Sequence, residues 1–323
     1  MSYAQYGEVA ALDYNTLVGG DPTTGTGKLN SVWATGSAGQ GYGQTALANV
    51  ASGANVGASE WANLVNRTAN AATHQNSSIT SVTAPVVGGV ITYNANIPTN
   101  LGTIFTNRRN AVSQGTTASN SITNSTPWTT SKTWTHTATF ANGDAARYFF
   151  NCGGQLKMTM THGNTTDPIN QMFTDLCANV ATVTMSVSSA TANLVSKSFA
   201  GFTKVNANGS IAPPGSDDGN CNIWSNTGYF QLSTTNANVF TQTAATGPAA
   251  YLGSFIRIIA KSNGTVGLNG DVGNVITFYT LWDEVPDGLT VGSGSIVTMT
   301  STPPETTNIA NTWGTITLAG SVA

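Results

Sequence analysis

The sequence is short of charge before it is short of anything else. Eleven Lys and Arg with fourteen Asp and Glu make only 8% of its 323 residues, against roughly 25% in an ordinary globular chain. A net charge of −3 leaves no basic stripe for a phosphate backbone, so no nucleic-acid partner is expected. The one basic doublet, Arg108-Arg109, reads as a solvated helix face. No apolar run reaches the roughly 18 residues a bilayer-spanning helix needs, so no membrane insertion is expected. The opening residues, Met1 to Glu8, have neither the basic nor the apolar region of a secretory signal, and none is expected. Cysteine is scarce too. Cys152, Cys177 and Cys221 are far apart and odd in number, which predicts reduced, buried thiols rather than a disulfide framework or a zinc site.

Hydroxyls and amides take the place of charge. Thr, Asn and Ser supply about a third of the residues, well above ordinary usage. The 40% hydrophobic share is enough to build real cores, which excludes a wholly disordered chain.

The first third reads as short helices. Asp13 is placed to cap a helix running to Val18 and stopped by Gly19-Gly20, and Leu29 to Trp33 is a brief apolar stretch. Gln44 to Val50 reads as another helix. The strongest starts at Ser59 as N-cap and runs to about His74, with Trp61, Leu64, Val65 and Thr68 on one stripe. Leu101, Ile104 and Phe105 repeat that spacing ahead of Arg108-Arg109, while Val86 to Tyr93 reads as strand or linker. Helices this short are marginal alone, so they are expected to pack on one another or on another subunit.

From about Pro127 the period changes to two. Trp134 to Phe140 alternates cleanly. Ala146 to Asn151 and Gln155 to Thr161 read as a strand pair across Gly153-Gly154. Asp167-Pro168 opens a helix to about Cys177. Further strands are expected at Val180–Val187, Phe202–Val205, Gly228–Leu232, Phe255–Ala260, Val275–Tyr279, Ser295–Thr300 and Thr315–Leu318. The expected fold is α+β, mainly β. A helical N-terminal assembly or attachment region, 1–126, precedes an antiparallel β-sandwich or jelly-roll-like domain, 127–323.

The run Phe140-Ala-Asn-Gly-Asp144-Ala-Ala-Arg147-Tyr-Phe-Phe150-Asn-Cys-Gly153-Gly154-Gln-Leu156 resembles a segment of virion structural proteins of tailed bacteriophages, of the kind found in T4-like phages of marine cyanobacteria. Its most specific part is Arg147, Tyr148, Phe149, Phe150 and Asn151, followed by Gly153 and Gly154. Leu12 to Val18, Ser59 to Val65, and Phe278 to Glu284 with Asp287 are similar to other parts of such proteins, so the likeness covers most of the chain. Cys152 stands where a small residue is expected. The resemblance implies a place in a particle more than a mechanism. Read as strand, Tyr148 and Phe150 would share one face, and Arg147 and Phe149 the other.

Sites of chemistry are thin. His74, His136 and His162 have no metal-ligand spacing. Gly25 to Leu29 lacks the first glycine and the metal-binding hydroxyl of a phosphate loop, and Gly292 to Ile296 is not a nucleophile elbow. Asp217-Asp218 reads as a turn rather than a Ca²⁺ loop. Asp283, Glu284 and Asp287 form an acidic patch that could supply the carboxylate pair of a glycosidase. No catalytic residue, cofactor or metal ligand is assigned, and the chain is not expected to be an enzyme.

The leading expectation is a virion component, a tail or neck appendage or fibre-like protein, assembled in the host cytoplasm. Its partners would be copies of itself, as a trimer, and other virion proteins. Trp61, Leu64, Val65, Leu101, Ile104 and Phe105 would form the interface. The alternative is a carbohydrate-binding adhesin in which Trp224, Tyr229, Tyr251 and Trp282 stack on a host surface glycan. A polysaccharide-cleaving enzyme is the third reading, and the chain lacks the fixed-period repeat such enzymes show.

Overall fold

The computed structural model describes residues 9–19, 28–36, 39–91, 93–110, 114–164, 167–187, 190–193, 198–199, 202–203, 221–223, 228–244, 253–264, 273–285 and 288–323. The chain divides into two compact units. Unit 1 comprises residues 1–115, 147–153 and 304–313; unit 2 takes 116–146, 154–303 and 314–323. The division expected at 126/127 therefore falls at 115/116, and unit 1 takes back two later segments.

Unit 1 contains α1 (Ala11–Val18), α2 (Ala58–His74) and α3 (Asn96–Thr106). Each buries one stripe: Tyr14, Leu17 and Val18 from α1, Trp61, Leu64 and Val65 from α2, Ile97, Leu101 and Ile104 from α3. Between the helices the chain is mostly irregular, and single amide side chains hold it. Asn15 donates to the Val50 carbonyl (2.9 Å) and accepts from its N–H (2.8 Å). Asn30 clamps Leu47 in the same two-point way, Asn100 clamps Thr80, and Gln44 clamps Ala310. Each amide copies the donor–acceptor pair of a neighbouring strand. This is why Gln44–Val50 is extended rather than helical: the N–H groups of Leu47 and Val50 go to remote amides, not to the preceding turn. The caps shift as well. Asp13 and Ser59 lie inside first turns, after Ala10 and Gly57.

Unit 2 is built from two antiparallel sheets. Its strands are β1 (Ala118–Thr123), β2 (Ser131–Thr139), β3 (Gln155–His162), β4 (Thr182–Met185) and β5 (Ala190–Asn193), with β6 (Ser198–Phe199) and β7 (Phe202–Thr203) as a short ribbon. They continue through β8 (Cys221–Ile223), β9 (Ala237–Thr243), β10 (Phe255–Ser262), β11 (Val275–Asp283), β12 (Ser295–Thr302) and β13 (Thr317–Val322). One sheet has the order β1-β12-β3-β4-β5 and the other β13-β2-β11-β10-β9-β8. Strict alternation gives each an apolar inner face: Leu156, Met158 and Met160 on β3, Trp134 and Ala138 on β2, Ile276, Phe278 and Trp282 on β11. The arrangement is the expected mainly-β, sandwich-like α+β class.

Two more helices, α4 (Gly143–Asn151) and α5 (Pro168–Val180), complete the chain. On α5, Asp167 caps the Asn170 N–H (3.0 Å) with Pro168 at the first position, as expected. Phe173 lies parallel to the Trp282 ring, with centroids 5.5 Å apart. The helix α4 corrects the expected strand at 146–151. Asn142 Oδ1 accepts from the Ala145 N–H (2.8 Å), so Asn142-Gly143 starts a helix instead of turning a hairpin. A second correction falls at 228–232, where Tyr229–Gln231 form a 3-10 turn rather than a strand.

Candidate functional site

The segment Arg147–Gly153 forms the second half of α4 and the turn after it, and belongs to unit 1. Helical geometry changes its faces. Phe149 and Phe150 are both fully buried, edge to face at 5.0 Å, whereas a strand would have separated them. Arg147 is buried with its guanidinium over the half-buried Tyr148 ring (5.1 Å). That ring lies where a Cβ on Gly43 would project, and Gly43 has φ +70°, so only glycine fits there. Asn151 donates to the carbonyls of Gly39 and Gly41 (2.9 Å each). His74 bonds the Cys152 carbonyl (3.0 Å). Gly153 has a positive φ, +94°, and Gly154 does not. The segment therefore knits the 39–42 loop to the end of α2.

The expected assembly stripe is not on the surface. Trp61, Leu64, Leu101 and Ile104 are at most 1% exposed and Val65 is 7% exposed, because the short helices satisfy one another within the unit. Phe105 is half-buried beneath the Arg108 guanidinium (4.2 Å). Arg108 is not a solvated charge either. It donates to the Phe105 carbonyl and to Gln40, and burial lowers its pKa, with Arg109 adding to the effect.

Two of the four aromatics expected to meet a glycan, Tyr229 and Trp282, are fully buried, Trp282 between Trp134 and Phe173. They are core, and cannot stack on a sugar. Trp224 and Tyr251 lie outside the described residues, as do Asp217, Asp218 and Asp287. Of the acidic patch, Glu284 is buried and accepts from the Gly288 N–H (3.1 Å).

All three histidines are buried, and burial lowers the pKa of each. His136 falls to about 4, the backbone groups of Val297 and Asn120 opposing the shift without full hydrogen-bond geometry. The thiols of Cys152 and Cys177 are buried and raised by burial, which makes them inert. Sequence reasoning missed one constellation. Asn170 Oδ1 accepts from the Gly292 N–H (2.7 Å) and sits 2.8 Å from His162 Nε2, so that nitrogen carries the proton. His162 Nδ1 then accepts from the Ser295 hydroxyl (2.9 Å), and Asn170 Nδ2 donates to Asp167 (2.7 Å). This is the bonding order of a nucleophile, base and orienter. Yet Ser295 is fully buried, and the nearby Gly292 N–H is already engaged. The chain braces the start of α5 against β3 and β12. Among the described residues no group of three His, Cys, Asp or Glu is placed to hold a metal.

Hydroxyls line part of the outer surface of unit 2. Ser119 and Ser121 on β1 bond Thr300 and Thr298 on β12 (2.9 and 2.7 Å), a hydroxyl ladder on the outer face of the sheet. In unit 1 a turn closed by the Gly89 N–H on the Val86 carbonyl (2.8 Å) presents Val86, Val87 and Val90 at 73%, 95% and 86% exposure. Beside the second half of α2, Val65, Ala69, Ala72, Ile79, Val82 and Ile97 line a groove of about 370 Å³. The signal for the turn is in the sequence: valines on both sides of Gly88-Gly89 mark an apolar run that bends back.

No protein family, curated protein or solved structure matches the chain. Among the described residues no helix is long and apolar enough to cross a membrane.

Proposed function

We propose that this chain is a structural component of a tailed-phage particle, a tail or neck appendage or fibre-like protein, and that it works by self-assembly. One observation carries the reading: the candidate chemical groups described above are engaged in the fold, whereas three valines stand out on one turn. The three histidines, Arg108 and Glu284 serve the interior, while Val86, Val87 and Val90 point to solvent. Exposed apolar clusters mark contact surfaces more often than they mark catalytic ones. The resemblance of the Arg147–Gly154 sequence to virion structural proteins supports the same reading, and the burial of Arg147, Phe149 and Phe150 fits a fold-determining role.

The test is physical location. An antibody to the purified chain should decorate intact particles at a fixed site, and peptide mass spectrometry of gradient-purified particles should recover the chain at constant stoichiometry. Its absence from purified particles would end the proposal.

A further inference from the structure

Ser295 and His162 are paired residues of β12 and β3, with Ser295 Oγ 2.9 Å from His162 Nδ1. The other ring nitrogen is held 2.8 Å from Asn170 Oδ1, so Nδ1 is the nitrogen left to take a proton from the hydroxyl. A serine set on a base whose far side is fixed is an activated nucleophile. Burial bars it from an outside substrate: Ser295 has no exposed surface and His162 only 3%. Burial does not bar it from its own backbone. A serine hydroxyl always lies near the carbonyl carbon of the residue before it, which here is Gly294.

The Gly294–Ser295 bond also lies on a boundary. Ser295 is buried, Gly294 half-buried and Ser293 exposed. Gly294 has φ +95°, and nothing stands within 4 Å of the place where a Cβ on it would project, so water can approach from that side. Asn124 holds both flanks of the bond. Its carbonyl accepts from the Gly294 N–H and its N–H donates to the Ser295 carbonyl, both at 2.8 Å.

We infer that the folded chain cuts itself between Gly294 and Ser295. The Ser295 oxygen gives an electron pair to the Gly294 carbonyl carbon, and its proton passes to His162 Nδ1. The tetrahedral adduct collapses with rupture of the C–N bond. His162 returns the proton to the departing Ser295 nitrogen, and Gly294 is left as an ester on the Ser295 oxygen. Water then adds to the ester carbon and the C–O bond breaks. The products are a Gly294 carboxylate, a restored Ser295 hydroxyl and a free Ser295 amine, which takes up the proton released. Because β12 lies between β1 and β3 and β13 pairs with β2, residues 295–323 stay seated in the sandwich after the cut. The inference goes beyond the particle reading and does not depend on it.

The experiment incubates the purified full chain at neutral pH and follows it by denaturing electrophoresis and intact-mass spectrometry. Wild type should resolve into 1–294 and 295–323, with masses that sum to the whole chain plus one water, yet run as one species on native size exclusion. Ser295→Ala and His162→Gln, checked for folding by circular dichroism, should stay whole. Neutral hydroxylamine intercepts an ester and should speed the wild-type cut at Gly294. Burial lowers the His162 pKa, so the rate should hold through neutral pH and fall only in acid, a profile that a purely bracing histidine would not give. If Ser295→Ala does not fold, Ser295→Cys decides: hydroxylamine should still release residues 295–323 through a thioester. A wild-type chain that keeps one mass, with and without hydroxylamine, overturns the inference. So does a cut at another bond, or one that persists in folded Ser295→Ala.

Discussion

In unit 2 the partner of an extended segment is another strand; in unit 1 it is a single amide side chain. The sandwich carries its hydrogen bonds in ladders that repeat with the pleat, so any one pair can be lost with its neighbours in place. Unit 1 holds the stretches at 47, 50, 80 and 310 at isolated points, each by one Asn or Gln from a distant part of the chain. Distributed bonding tolerates substitution, while point bonding concentrates the risk.

The strongest way to separate the units is Phe150→Ala. The side chain is fully buried in unit 1, and losing a core ring costs about 3 to 5 kcal/mol in transfer and cavity terms. Hydrogen exchange resolved by peptide should show unit 1 losing protection while β2, β11 and β12 keep theirs. Protection lost equally in both would mean that they are not held separately.

Acid should press on the other side. Unfolded histidine titrates near 6.5, but folded His136 titrates at about 4, so the native state declines a proton that the unfolded chain accepts. Its contribution is complete above about pH 6.5, falls as pH drops, and is gone near pH 4, a loss of about 3 kcal/mol. His162 in unit 2 and His74 in unit 1 are lowered by burial too, and act in the same direction. Two of the three lie in unit 2, so urea melts at pH 7 and pH 5 should show the sandwich weakened more. An NMR titration in which His136 takes its proton near pH 6.5 would remove the basis for this.

The smallest effects compare the two kinds of hydrogen bond directly. Asn100→Asp removes the donor of a buried clamp and should cost about 1 to 3 kcal/mol. Ser121→Ala removes one rung of the outer ladder and should cost well under about 1 kcal/mol. Equal costs in chemical denaturation would erase the distinction between point and distributed bonding.

The same contrast decides what could be read from sequence. Alternation is a property of neighbours, so β2, β3, β10, β11 and β12 announced themselves, as did the stripe on α2. β1, with the sequence Ala-Ser-Asn-Ser-Ile-Thr, has one large apolar residue and no visible alternation, and it was missed. The α4 helix was hidden because Arg-Tyr-Phe-Phe has strand-like propensity, and only the Asn142 cap three residues before Ala145 pointed the other way. The clamps leave no local trace at all, since Gln44 and Ala310 are 266 positions apart. At the candidate site, the apolar periodicity that marked Trp61 and Leu101 is the signature of burial. It therefore selected the residues a partner could not reach, while the valine turn, without periodicity, passed as linker.

The amide clamps also set how this protein ages. A fold tied by neutral side chains is indifferent to ionic strength, because there is little charge for salt to screen at those points. Water attacks it by another route. Asparagine amides hydrolyse slowly to carboxylates, fastest where glycine follows, as at Asn142 and Asn263. Asn142 is the cap of α4, and Asn263 accepts from the N–H groups of Asn274 and Val275 while donating to Asn274. Asn142 would still accept as a carboxylate, even more strongly at a helix N-terminus. Asn263, like each clamp in unit 1, would lose its donor and set an anion against a carbonyl or amide oxygen. The molecule thus carries a clock in its fastenings, and the joints that fail with age are the ones that need both ends of the amide.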